Sequence, residues 1–243
     1  MNLVRELLER AARATPAAVE DRSSGWWFRH TDGNAWWSGA VLAHGASDDG
    51  RLTERIEAAE RFYAERDAAA RFQVCPGCPP DLDRMLADRG YRWEAPISLQ
   101  AMEVAVPVEV RPAAGLDVRV GSRPDPGSRV VLAASGGPRT VAGGRSAYVT
   151  VSADDEPVAI GRAVADDGWT GVFGMVTTPS ARRRGAARVV LSVIAHWACE
   201  QDAPRLYLQV ERANTAACRL YAAAGFTEVA SYHYRVKDAH APA

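Results

Sequence analysis

Cysteine is scarce, with four residues in a chain of 243. That number does not make a disulfide framework at this length. Histidine is scarce too, and its five copies form no metal-ligating spacing such as H-E-x-x-H. No apolar run approaches the length of a membrane span. The first residues lack the unbroken apolar core of a signal peptide. Met1 to Ala12 instead reads as an amphipathic helix, with Leu3, Val4, Leu7, Leu8 and Ala11 separated by Arg5, Glu6, Glu9 and Arg10. The net charge of -1 leaves no basic surplus for nucleic acid. Lys, Ile and Asn are few beside Ala, Arg and Gly, the bias of a GC-rich bacterial gene. These absences predict a cytoplasmic protein with no membrane segment, no nucleic-acid partner and no metal. What remains is an ordinary globular composition, 47% apolar and 24% charged, long enough for one large or two small domains. Cys75-Pro-Gly-Cys78 is a C-x-x-C, but Pro76, Pro79 and Pro80 make it a loop rather than a redox helix start.

Residues 175 to 191 carry the strongest chemical signal. An extended apolar run, Gly171 to Thr177, stops at Pro179. A basic turn containing Gly185 follows, then a helix with Val189, Val193 and Trp197 in one row and Val190 and Ile194 beside it. The first amides of a helix have no internal partner, and the dipole puts partial positive charge there. Gly185, Ala186 and Ala187 let an anion approach the backbone. Arg182, Arg183, Arg184 and Arg188 add charge and bidentate donors. The spacing is neither a Walker loop nor G-x-G-x-x-G. It is Arg-x-x-Gly-x-Ala, with Arg182, Gly185 and Ala187 in the fixed places. Taken alone, such a turn is equally a solvated helix start.

A second segment lies downstream. Leu206 to Val210 alternates as a strand, and Asn214 then opens a short helix that Gly225 closes, followed by Phe226. Asn214 and Tyr221, seven apart, share one face two turns from each other. The two segments, in this order and at this separation, resemble the GCN5-related N-acetyltransferases over about residues 116 to 238. The resemblance implies a mixed, mostly antiparallel sheet flanked by helices, an α/β (α+β) acyl-CoA N-acyltransferase fold. It implies acetyl-CoA as co-substrate, its pyrophosphate at residues 182 to 188. The CoA arm would lie against Met175, Val176, Thr177 and Asn214. Tyr221 would protonate the departing thiolate.

The N-terminal half holds a fainter copy of the second segment. Glu65-Arg66-Asp67-Ala68 matches Glu200-Gln201-Asp202-Ala203, and each leads into a strand ending Gln-Val. Asp67 to Gly90 and Asp202 to Gly225 are both 23 residues. The reading is two tandem copies: a degenerate acetyltransferase-like domain at 1–108 and a catalytic one at 109–243, joined near Pro107 to Gly115. Leu86 and Pro79 stand where the second copy has Tyr221 and Asn214, so the first is expected to hold no CoA, to support the active half and to wall its substrate cleft. Trp26-Trp27 and Trp36-Trp37 flank Asp32-Gly33, a hairpin signal, and one Trp of each pair is expected in the core. A helix is predicted around Ser128 to Ala134.

The general base is open. The resemblance places a carboxylate where Gln209 stands, and Gln209 cannot take a proton. Glu211, two residues on, faces the same side; it is either the base, a substrate-binding group or a solvated strand end. His233 and an ordered water are the other options. Two functions remain open: transfer of an acetyl or longer acyl group to an amine, and a non-catalytic acyl-CoA sensor or partner-binding protein. Small amines, aminoglycoside-like antibiotics, amino acids and protein amines all remain as acceptors. Monomer and homodimer are both compatible with the sequence.

Overall fold

The computed structural model describes residues 2–22, 25–32, 38–44, 50–105, 115–129 and 145–238. Asn2 accepts from the Val4 amide and starts helix α1 (Leu3–Ala14). Two short strands follow, β1 (Val19–Asp21) and β2 (Phe28–His30), paired antiparallel with each other. Then come β3 (Val41–Leu42), α2 (Leu52–Ala64), β4 (Ala70–Val74), α3 (Leu82–Asp88) and the long β5 (Arg92–Glu103). The second half holds β6 (Asp117–Gly121), β7 (Arg145–Ala153), β8 (Glu156–Asp166) and β9 (Trp169–Thr177). A 3-10 turn (Pro179–Ala181) leads to α4 (Ala186–Glu200), β10 (Arg205–Glu211), α5 (Thr215–Ala224) and β11 (Thr227–Lys237).

The repeat is written in the backbone. Asp67 and Asp202 both take positive φ, at 49° and 54°, after the matched helices. Gly90 and Gly225 do the same after α3 and α5, at 82° and 100°. The closing bonds also match: the Tyr91 amide reaches the Leu86 carbonyl, and the Phe226 amide reaches that of Tyr221. Leu86 is thus the counterpart of Tyr221, and it is fully buried in the first half's core.

The two copies share one nine-stranded sheet, ordered β3-β4-β11-β5-β10-β9-β8-β7-β6. Each half lends its last strand to the other. β5 lies between β11 and β10, antiparallel to both, and β11 lies between β4 and β5. Exchanging β4 with β10 and β5 with β11 leaves the order of these four unchanged. The outer pairs β3·β4 and β9·β10 are both parallel, which extends the symmetry. The junction at residues 108 and 109 lies outside the described residues.

Alternation along β10 divides the core. Leu206, Leu208 and Val210 face α4 and α5, whereas Tyr207 packs with Leu7, Leu8 and Ala11 of α1 on the opposite face. α1 is thereby an N-terminal element docked on the C-terminal half. Arg10, almost buried, ties it there through Asp166 at 2.9 Å and Asp167 at 3.2 Å.

Several expectations need amendment. Trp26 and Trp27 are both buried, not one of the two. Trp26 meets Phe72 edge to face in the first core, while Trp27 packs with Ala12 and Leu42 under the Arg22 guanidinium. Both residues precede β2, and each ring is covered by its own cluster. The Asp32-Gly33 turn and Trp36-Trp37 lie outside the described residues, and β2 pairs with the preceding β1. Of the helix expected at Ser128 to Ala134, only residues 128 and 129 are described, and they are helical.

β9 and β10 pair over three positions only, ending at Tyr207 and Gly171, and then separate. Gly171 sits at the branching point. A Cβ there would lie 2.5 Å from the Phe173 ring and 2.7 Å from the Tyr207 hydroxyl. These rings meet nearly perpendicular to each other, at 87°, so an added methyl must displace one of them. Gly171→Ala should lower stability by about 1–3 kcal/mol, the usual effect of overpacking. Denaturant unfolding reads this directly; an unchanged midpoint would mean the rings can give way.

Candidate functional site

Strand separation opens two cavities. The larger, about 960 Å³, runs between α4 and α5 and is lined by Met175, Val176 and Thr177, by Arg182, Arg183, Gly185, Ala186, Ala187 and Arg188, and by Asn214 and Tyr221. The other, about 450 Å³, lies on the α1 side of the sheet. The two share Met175, Val176, Asn214, Ala217 and Tyr221 as a common wall.

The basic turn is built for an anion. Gly185 caps α4 in the left-handed region, at φ +86°, with no atom within 4 Å of where a Cβ would stand. Arg183 is also left-handed, at φ +61°. The turn therefore leaves α4's first amides uncovered. Among the described residues, no carboxylate pairs with Arg182, Arg183, Arg184 or Arg188. Arg184 is exposed and lines neither cavity. A pyrophosphate-bearing co-substrate fits this cradle in charge and in open space.

β9 is bulged beside the site. Its register against β8 shifts between Ile160 and Arg162, with Gly174 at φ +56°. On the facing strand, Gly161 accommodates Met175 Sδ and Val190 Cγ1, both 2.6 Å from where a Cβ would be. The bulge aims the backbone of 174 to 176 into the gap. Opposite it, the Asn214 side chain caps α5, accepting from the Ala217 amide at 3.1 Å. This caps the helix and fixes Tyr221 two turns on.

Tyr221 is 7% exposed, its ring edge-on to Phe226. Burial pushes its hydroxyl pKa up to about 12, with Cys218 adding to the effect. It therefore keeps its proton throughout the neutral range and can act as a donor. Glu211 is exposed at the mouth of the smaller cavity, two residues beyond Gln209. Gln209 lies deeper and accepts from the Tyr232 hydroxyl. His233 lines neither cavity; its Nε2 is 2.8 Å from Asp83, and its ring packs on Trp93. Cys75 and Cys78 are free thiols in a loop, Sγ atoms 3.5 Å apart. Among the described residues, no group of three His, Cys, Asp or Glu is placed to hold a metal. Among them too, no helix is long and apolar enough to cross a membrane.

Sequence reasoning assigned no residue to the other half of the smaller cavity, although it expected the N-terminal copy to wall a substrate cleft. Leu8, Ala11 and Ala12 of α1 and its cap Thr15, together with Arg29, Gln73 and Ile97, come from the N-terminal copy. Strand exchange brings them there, and no local motif marks it.

Solved structures share this architecture. A GCN5-related N-acetyltransferase from Kribbella flavida aligns with a TM-score of 0.76 at 18% identity, covering 98% of this chain and 96% of its own. A "Tandem GNAT protein from the clavulanic acid biosynthesis pathway" aligns at 0.68 and 12% identity, covering 90% and 79%. The class is thus the tandem GCN5-related N-acetyltransferase fold. In sequence, residues 2–235 match the family model described as "Probable histone acetyltransferase Rv0428c C-terminal", and the chain belongs to that family. A Bacillus subtilis (strain 168) protein, "Uncharacterized N-acetyltransferase YobR", is 37% identical over 79 residues. That match spans 32% of either chain.

Gly185→Val tests the anion turn. A β-branched residue at this φ is strained, by roughly 1–3 kcal/mol, and the new side chain occupies the approach to the amides. Unfolding should shift by that amount, and calorimetry with inorganic pyrophosphate should show weaker binding than for the wild type. Unchanged values of both would remove the anion role from this turn.

Proposed function

We propose that this protein transfers an acetyl group from acetyl-CoA to a primary amine, by direct attack when both are bound. The observation that carries this reading is the position of Tyr221 on the wall common to both cavities. One cavity has the phosphate-compatible turn at its outer end, and the other has Glu211 at its mouth. A thioester in the larger cavity and an amine in the smaller one would meet beside the Tyr221 hydroxyl. In this reading α4's first amides, with Arg182, Arg183 and Arg188, hold the pyrophosphate. Arg184 contributes only long-range charge. The backbone of Met175, Val176 and Thr177 flanks the CoA arm, and an amide there steadies negative charge on the carbonyl oxygen. Asn214 positions α5 and borders the arm. The amine nitrogen bonds to the carbonyl carbon, the carbon–sulfur bond breaks, and the thiolate takes the Tyr221 proton.

Glu211 is assigned to the amine's proton, directly or through one water. Its exposure at the cavity mouth suits that task, since the proton must leave to solvent. The N-terminal copy, with Leu86 in place of the tyrosine, acts as the wall of the acceptor cavity. The description of the matched family names a histone acceptor. A lysine side chain entering the smaller cavity is one version of this function, and a small amine is the other. The sensor alternative is disfavoured by a buried hydroxyl held where a leaving sulfur needs an acid.

Tyr221→Phe decides between enzyme and sensor. The ring still packs against Phe226, so the fold and the acetyl-CoA dissociation constant should hold. Loss of a general acid lowers kcat by ~10²- to 10⁴-fold. Thiol release measured with a slow amine over a pH range should show that fall. Normal turnover at every pH would reduce Tyr221 to a packing residue.

A further inference from the structure

Charge in the smaller cavity is sparse and ordered. Among the described residues lining it, Arg29 is the one cation and Glu211 the one anion. They come from opposite flanks. Glu211 ends β10, whereas Arg29 follows the Trp27–Leu42 bridge to β3, with β4, β11 and β5 between. Glu211 is at the exposed mouth, beside Asn214 and Tyr221. Arg29 is 2% exposed, among Gln73, Tyr232 and Tyr234. The floor of the cavity is thus cationic and hydrogen-bonding, and its rim is anionic.

Arg29 has a structural duty, and that duty does not use it up. Its Nη2 donates to the carbonyls of Ala12 and Thr15, stapling the C-terminal end of α1. Its Nε is buried without a hydrogen bond and forms an ion pair with the Glu20 carboxylate at 3.6 Å. A second guanidinium approaches the same helix end from the C-terminal half. Arg162 Nη2 donates to the Ala14 carbonyl at 2.8 Å. Its Nε and Nη1 are buried without partners, and it stands behind Phe173, 5.8 Å from that ring. Among the described residues no carboxylate pairs with it. Two buried cations thus share one carboxylate, Glu20 beside Arg29, and an entering anion would offset the remaining charge. One end of a helix needs one staple, and here two arginines, one from each copy, converge on it.

We propose that the acceptor is a small primary amine bearing an anionic oxyacid group, a carboxylate or a phosphate, which docks at Arg29 while the amine faces Glu211. This rests on the acetyl-transfer reading and narrows its acceptor class. An amino acid is the simplest such molecule: its ammonium meets the rim carboxylate and its carboxylate meets the buried guanidinium. The anionic group takes no part in bond making. The amine nitrogen gains the acetyl group and loses a proton, the CoA sulfur gains one, and the oxyacid leaves unchanged. Gln73, Tyr232 and Tyr234 bound the floor beside Arg29. Arg162 supplies long-range positive charge from behind the wall.

The test uses the full chain and matched acceptors. Amino acids are compared with their carboxamides, and O-phosphoethanolamine with ethanolamine, by CoA thiol release at saturating acetyl-CoA. Acetyl-CoA binding is measured separately by calorimetry. Anionic members should exceed their neutral partners in kcat/KM by at least ~10-fold, because a buried donor left unpaired penalises the analogue. Which anionic set leads tells carboxylate from phosphate. Arg29→Met should abolish the preference while the acetyl-CoA dissociation constant stays put; if that variant fails to fold, the wild-type comparison stands by itself. Neutral acceptors equal to or better than anionic ones overturn the proposal, as does no turnover of either set by protein that binds acetyl-CoA. Wild-type protein that does not bind acetyl-CoA overturns the underlying reading instead.

Discussion

Antiparallel pairing of β5 with β11 is the constraint on which the rest of this structure depends. These strands come from different copies, and each lies deep in the other copy's part of the sheet. Their register places Ile97 opposite Tyr232 and Leu99 opposite Ala230, all toward α1. A slip of one residue would turn those side chains to the α4 face and empty the cavity floor. The two bulges in the pairing hold that register against the twist of a long strand pair. With the strands exchanged, neither copy closes its own sheet, so the halves are one cooperative unit in the described residues.

The functional geometry follows from where pairing stops. Beyond Gly171 and Tyr207 the parallel pair β9·β10 opens, and the sheet becomes permeable from face to face. The phosphate-compatible turn and α5 lie on one side of this opening. α1, Arg29 and Gln73 lie on the other. Tyr221 belongs to the first side yet borders both cavities because it stands in the opening. A continuous sheet would have separated the two compartments. A wider gap would have left Tyr221 in water, without the burial that raises its pKa.

Local signals were legible in the sequence, and long-range ones were not. The repeat was readable because left-handed caps leave marks: Asp67 and Asp202, Gly90 and Gly225 hold the same backbone conformations at the same spacing. β9 runs from Trp169 to Thr177 as its alternation and Pro179 require. Asn214 and Gly225 bound α5 because capping is a property of neighbours. By contrast, nothing in the alternation of residues 92 to 103 names β10 and β11 as partners. Register between copies is decided by the summed burial of both, and no short window contains it. Arg29 was missed for the same reason. It sits in a three-residue strand without a motif, and only the fold brings it to the smaller cavity. The tryptophan pair misled because alternation assumes a regular strand, and Trp26 and Trp27 precede β2, each covered by its own cluster.

The central claim is that the opening between β9 and β10 receives the acyl donor and joins it to a cavity built from both copies. A crystal structure of the protein with acetyl-CoA tests it most directly. The account predicts phosphates at Gly185 to Arg188, the arm between Met175–Thr177 and Asn214, and the thioester within reach of the Tyr221 hydroxyl, facing the smaller cavity. Acetyl-CoA seated in the N-terminal copy, or lying outside the β9–β10 opening with Tyr221 untouched, would contradict it.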